Sequence, residues 1–218
     1  MLGLKLNLEE YLDDARRILS ELNRNSVQEL TNDLYHAWQQ GRVVFVCGNG
    51  GAGSTANHFA EDLLKSTLDP GEFENDDARR MKVISLSQNT PSILAWANDE
   101  GFEKIFVEQL KNFARPGDVL LAMSGSGNSP NVLKAVDWAN AHELMTWGLT
   151  GRTGGELAEL AERTVQVPSD DMGMIQSVHL LIFHCMLDDL HGRVNGKGRH
   201  AQRNELRSSR VASVEKSR

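Results

Sequence analysis

Residues 115–135 read RPGDVLLAMSGSGNSPNVLKA, and this stretch decides the fold. Val119–Met123 is a short, wholly apolar run of the kind that forms a strand buried on both faces. The turn Arg115–Asp118 introduces it. The loop Ser124–Ser129 follows, built almost entirely of small residues, and Pro130 then suits the first turn of a helix. A strand, a small-residue loop and a helix N-terminus make an anion cradle. Hydroxyls and backbone amides donate there, and the helix dipole adds attraction. The three hydroxyls Ser124, Ser126 and Ser129 favour phosphate over a plain polar loop. No Lys follows in the GxxxxGK[ST] pattern, which excludes a nucleoside-triphosphate loop of that kind.

The same alternation extends in both directions. Apolar runs at Val43–Cys47, Lys82–Leu86, Thr146–Leu149 and Thr164–Val167 complete a set of five expected strands. Helical patterns lie between them at Gly53–Ser66, Pro91–Trp96, Phe102–Phe113, Asn131–Ala141 and Gly155–Ala161. A long helix over Met174–Leu190 closes the series. Strands alternating with helices predict a five-stranded parallel sheet covered on both faces, a three-layer αβα sandwich. Two helices precede the sheet. Leu8, Tyr11, Leu12, Ala15, Ile18, Leu19 and Leu22 give helical spacing over 8–23, and Ser26 with Glu29 has capping-box spacing for the second, ended by Gly41.

The first strand runs into CGNGGAGSTANHF, where Gly48, Gly50 and Gly53 match GxGxxG. A dinucleotide site also needs an acid at the end of the second strand, and Ser85–Leu86–Ser87–Gln88 has none. The loop therefore reads as a glycine turn that lets backbone approach a smaller ligand, with no nucleotide cofactor.

Composition narrows the class. At 218 residues with 40% hydrophobic content the chain can bury one domain's core and is not disordered. No apolar run approaches the ~18 residues of a membrane span, and the charged, amphipathic N-terminus is not a secretory signal. Both point to the cytoplasm. Cys47 and Cys185 lie in apolar runs and read as small buried hydrophobes. Gly192–Arg218 holds eight Lys/Arg against two acids, a local +6 on a body of −13 within the net −7. This divides the chain into a domain over 1–191 and a basic, poorly ordered tail over 192–218. The tail has no aromatics, which argues against a nucleic-acid partner.

His58 and Asp62 stand four residues apart on the helix after the glycine loop, on one face. Gln176 and His184 stand eight apart on the last helix, near one stripe. Imidazole, carboxylate and amide oxygen are all possible divalent-metal ligands. Spacing alone leaves both a metal site and ordinary helix-surface polar pairs open. His179 and His191 read as packing or surface residues.

The segments CGNGG (47–51), HFAED (58–62), ANDEGFEKIF (97–106), the stretch 115–135, GLTGRTGG (148–155) and VPSDD with IQSVHLLIFH (167–184) resemble the phosphoheptose isomerases. These are enzymes of the sugar isomerase (SIS) fold that convert sedoheptulose 7-phosphate to D-glycero-D-manno-heptose 7-phosphate. The resemblance runs from about residue 8 to 190. It implies a homotetramer with sites between subunits. It places Ser124, Ser126 and Ser129 on the phosphate, Asn49 and Gly50 along the sugar, and Asp99 and Gln176 nearby. It makes Asp62 the catalytic carboxylate base and His184 its partner, and in some members the residues matching His58, Asp62, Gln176 and His184 bind zinc. Three positions depart from the family pattern: Asp62 replaces the usual Glu, Ala52 a frequent Ser, and Met172–Met174 a segment that elsewhere supplies an acid and an Arg. These departures keep two alternatives open: a non-catalytic SIS tetramer that binds a protein partner such as a replication initiator, or an isomerase for another sugar phosphate.

Overall fold

The structure, a computed structural model, describes residues 7–201. Helix α1 (Leu8–Glu21) starts where the Asn7 side chain accepts from the Glu10 amide, while the Glu10 carboxylate accepts from the Asn7 amide. Helix α2 (Arg24–Gln40) begins earlier than the Ser26–Glu29 spacing indicates. Asn23 takes the cap, accepting from the amides of Asn25 and Ser26. Asn serves an N-cap as well as Ser does. The Ser26 hydroxyl, left inside the first turn, donates back to the Asn23 carbonyl at 2.9 Å. Gly41 closes the helix in the left-handed region, as its position predicts.

Five parallel strands follow: β1 (Val43–Gly48), β2 (Lys82–Ser85), β3 (Val119–Met123), β4 (Met145–Thr150) and β5 (Arg163–Gln166). Their order in the sheet is β2-β1-β3-β4-β5. Asp118 fixes the entry to β3, with one carboxylate oxygen accepting from the Val43 amide and the other from the Arg115 amide, both at 2.9 Å.

The connecting helices are α3 (Gly50–Ser66), α4 (Thr90–Asp99), α5 (Val107–Phe113), α6 (Pro130–Ala141), α7 (Gly155–Leu160) and α8 (Met172–Asn195). The stretch 102–113 is not one helix: a 3-10 turn at Phe102–Lys104 precedes α5. Side chains on a strand alternate between faces. Val44, Val46, Leu121 and Trp147 pack with α2, α3 and α8 on one side of the sheet. Phe45, Cys47, Leu120 and Ala122 pack with α5, α6 and α7 on the other. The αβα layering expected from the alternation is therefore present. The order reverses between β1 and β3, so the loops after these two strands flank the crevice where open α/β sheets bind ligands.

Helix α8 is apolar around most of its girth, so its sequence does not reveal which side faces inward. Cys185 lies on the outward side and is exposed, contrary to the expectation of a buried residue. Cys47 is buried, and burial pushes its thiol up to about 12, which keeps it protonated. The boundary at residue 192 falls inside α8, which continues to Asn195. Asp189 then holds the chain beyond the helix, pairing with Arg193, Arg199 and His200. Burial raises the Asp189 carboxyl, but those partners outweigh it and hold the group below its ordinary value. Charge composition misses this because the basic residues at the start of the tail neutralise a buried acid. The rest of the expected tail, 202–218, lies outside the described residues.

His179 is 3% exposed, and burial pushes its imidazole down from 6.5 to about 4. The unfolded chain takes up this proton as pH falls through 6.5, whereas the folded chain resists until about pH 4. Stability from this group is therefore full above 6.5 and is lost on acidification toward 4, by about 3 kcal/mol. Denaturant unfolding of the wild type and His179→Asn between pH 7 and 4 measures it. The wild type should lose the extra stability across that window. Parallel curves would refute the assignment.

Candidate active site

The serine loop folds so that its hydroxyls converge. The Oγ atoms of Ser124 and Ser129 are 3.0 Å apart, and those of Ser124 and Ser126 are 3.4 Å apart. Ser129 is the N-cap of α6, yet its side chain makes no capping bond. It turns to Ser124 instead, and Pro130 brings no amide hydrogen to the first turn. The helix N-terminus thus keeps its partial positive charge facing a cluster of hydroxyls, the arrangement that receives an anion. Ser124 is buried, Ser129 half-buried and Ser126 exposed.

Asn49, the N-cap of α3, makes no capping bond either. Its carboxamide pairs reciprocally with that of Asn131, both bonds 2.8 Å, and so ties the glycine loop to the first turn of α6. Sequence reading missed Asn131. Its signal is an Asn inside the first turn of a helix, a residue that competes for local backbone bonds and needs a reason to be there. Asn49 and Gly50 also line a cavity of about 260 Å³ with Ser54, Asn57, Ser87 and Phe102. Ser87 holds this wall: its hydroxyl donates to the Gly48 carbonyl at 2.8 Å and accepts from the Gly48 amide at 3.1 Å.

The two helices that carry the candidate acid–base residues, α3 and α8, lie side by side. Near their N-terminal ends, Gln176 occupies the space beside Gly51. A Cβ added to Gly51 would lie 2.4 Å from the Gln176 Oε1, so a side chain there would displace the amide. Farther along, His58, Asp62 and His184 come together with ligand atoms all within 4.8 Å of one another. The Asp62 carboxylate is 3.2 Å from the His58 Nε2 and 3.7 Å from the His184 Nε2. The two imidazoles meet edge to face at 5.3 Å between centroids. Asp62 is the most enclosed of the three, its side chain 17% exposed against 47% and 50% for the histidines. Glu61 is exposed.

The structure thus joins His58, Asp62 and His184 into one cluster. Gln176 lies eight residues before His184, about 12 Å back along the helix axis, with its amide at Gly51. Asp99 is exposed at the end of α4, where it accepts from the Asn98 amide at 2.7 Å. Two imidazoles and a carboxylate are a donor set that suits a zinc ion with an open position, and their ligand atoms are close enough to share one. Among the described residues no helix is long and apolar enough to cross a membrane.

Comparison with known proteins agrees with this geometry. The SIS domain family model matches residues 10–151. A phosphoheptose isomerase of Thiobacillus denitrificans is 39% identical over 158 residues, covering 71% of this chain and 77% of that protein. The phosphoheptose isomerase of Helicobacter pylori is 37% identical over 180 residues, covering 83% and 88%. Among solved structures, a phosphoheptose isomerase from Francisella tularensis superposes with a TM-score of 0.75 at 30% identity, over 84% of this chain and 96% of that one. The enzyme from Neisseria gonorrhoeae gives 0.74 at 28%, over 83% and 94%. With its αβα fold, its converging serines and this degree of identity, the chain belongs to the phosphoheptose isomerase family of SIS-domain proteins.

Proposed function

We propose that the protein is an aldose–ketose isomerase that converts sedoheptulose 7-phosphate to D-glycero-D-manno-heptose 7-phosphate. The observation that carries this reading is the convergence of Asp62 with His58 and His184 from two separate helices. Ser124, Ser126 and Ser129 hold the phosphate dianion by charge-assisted hydrogen bonds. Asn49, Gly50 and Gln176 border the path of the sugar chain. Asp62 removes the proton from the carbon beside the carbonyl, which gives an enediolate. His184 carries the proton of the neighbouring hydroxyl to the former carbonyl oxygen, and the former carbonyl carbon takes up the proton that Asp62 removed, which leaves the new carbonyl at the carbon that lost it. Zinc held by His58, Asp62 and His184 would supply Lewis-acid stabilisation of negative charge on the substrate oxygen.

The protein works as a homotetramer in the cytoplasm, with sites completed between subunits, and Asp99 meets the substrate only in that assembly. Exposed Leu8 and Leu12 on α1, and Leu181 beside His184 on α8, support this. Light scattering should give four times the chain mass; a stable monomer with full activity would count against it. The placement of the carboxylate and both histidines together favours catalysis over the partner-binding alternative.

The deciding experiment is a turnover assay with sedoheptulose 7-phosphate, with and without added zinc. Formation of the aldose establishes the isomerase. Binding without turnover would leave a sugar-phosphate-binding protein. Within the cradle, Ser126→Ala should weaken sugar-phosphate binding by about 10- to 100-fold, the worth of one hydrogen bond to a charged group. Unchanged affinity in calorimetry would remove Ser126 from the phosphate site.

A further inference from the structure

Asn131 is buried at 1% exposure in the first turn of α6, two residues after Ser129. Its carboxamide makes three bonds. The Oδ1 accepts from the Asn49 Nδ2 at 2.8 Å and from the Val132 amide at 3.0 Å. The Nδ2 donates to the Asn49 Oδ1 at 2.8 Å. Burying an amide is costly unless it is bonded this fully, and an apolar residue would fill the same space without that cost. Holding two loops together is one use of such a group. The pattern of its bonds gives it a second.

The oxygen and nitrogen of a side-chain amide have nearly the same shape, so the group can turn over and present either one. The Val132 N–H removes that freedom for Asn131, because a backbone N–H bonds an oxygen and opposes an NH2 group. With the Asn131 oxygen fixed, the reciprocal pair fixes Asn49 as well. The Asn49 nitrogen must face the Asn131 oxygen, and the Asn49 oxygen must face the Asn131 nitrogen. An amide has two N–H groups and two lone pairs. The pair uses one of each on Asn49 and leaves one of each. Asn49 makes no capping bond to α3 that would occupy them. It is half-buried and lines the cavity of about 260 Å³ with Gly50.

We infer that Asn131 is a positioning residue for the sugar: it sets the orientation of the Asn49 amide, and so the donor and acceptor that Asn49 offers to a sugar hydroxyl. The inference rests on Asn49 bordering the path of the sugar chain, as proposed above. A hydroxyl both donates and accepts. An amide held in one orientation recognises it by position, whereas a free amide turns over and does not. The phosphate group is held by the serines and does not use this amide. Loss of Asn131 therefore reaches the sugar and spares the phosphate.

The test uses the full chain as wild type, Asn131→Leu, Asn49→Ala and the double variant. Leu is close to Asn in shape and keeps the buried position filled. Inorganic phosphate and sedoheptulose 7-phosphate are titrated by calorimetry, and thermal melts check that each variant is folded. If Asn131→Leu does not fold, Asn131→Ser takes its place, since serine keeps a polar group and is too short to pair with Asn49. Asn131→Leu should weaken sedoheptulose 7-phosphate by about 5-fold, the effect of one neutral hydrogen bond, and change inorganic phosphate by less than about 2-fold. In the Asn49→Ala background the same substitution should have no further effect, because a residue that acts through another is silent once that other is gone. A merely structural role at the start of α6 would weaken both ligands alike, and that result overturns the inference. Unchanged sugar-phosphate affinity in folded Asn131→Leu, or losses that add in the double variant, also overturn it while leaving Asn49 as a sugar contact. Unchanged sugar-phosphate affinity in Asn49→Ala overturns the reading of Asn49 and the inference together.

Discussion

Asp62→Asn is expected to lower kcat for sedoheptulose 7-phosphate by about 10³-fold, with sugar-phosphate affinity held within a few-fold. The size follows from the role. A positioned general base contributes about 10²–10⁴ to a proton transfer, and an amide of the same shape cannot accept the proton. The selectivity follows from the placement. Asp62 touches His58 and His184 at 3.2 and 3.7 Å, whereas the proposed phosphate cradle is built on the loop after β3. The substitution deletes a charge without opening a cavity, so the fold should survive. Single-turnover and steady-state kinetics measure the effect. A fall of less than about 10-fold would mean that another group takes the proton.

Length matters at this position. Asp is one methylene shorter than the Glu usual in the family, and a carboxylate misplaced by about 1 Å can cost about 10²-fold. The close packing of α3 against α8, with Phe59 and Phe183 stacked at 3.8 Å between centroids, brings His184 to the shorter side chain. The Asp62 carboxylate therefore reaches both imidazoles without the extra carbon.

Gly127→Ala is expected to destabilise the protein by about 3–5 kcal/mol and to abolish phosphate binding. Gly127 lies at φ 70°, a region costly for other residues. Its surroundings are worse for a side chain: an added Cβ would fall 1.8 Å from the Gly154 carbonyl oxygen and 2.9 Å from the Gly155 Cα. These are backbone atoms and cannot rotate away. The serine loop is also bolted to that neighbour, because the Leu157 amide donates to the Gly127 carbonyl and the Glu156 amide to the Asn128 side chain, both at 2.9 Å. Alanine must push the two loops apart, and the hydroxyls diverge with them. A midpoint drop of about 10 °C follows for a chain of this size. A shift under about 3 °C with phosphate affinity intact would contradict the close approach.

The sequence by itself determined the architecture and the form of the serine loop between β3 and α6. Apolar runs of strand length separated by helical patterns fix a parallel sheet, because each run must be covered on both faces. A cradle made of one strand end, one loop and one helix start is local, so consecutive residues suffice to specify it. Local competition was harder to read. Asn23 displaced Ser26 as a cap because both side chains, three residues apart, can do the same work.

Only the tertiary structure decided what lies across from what. Nothing in the spacing of His58 and Asp62 reveals that His184, more than a hundred residues later, meets them; that contact depends on how α8 lies along α3. The outward side of an almost wholly apolar α8 is likewise set by its neighbours, which is why Cys185 is exposed and His179 buried. The reciprocal Asn49–Asn131 bonds join the glycine loop to helix α6. Such bonds arise from the packing of layers, and periodicity along the chain carries no record of them.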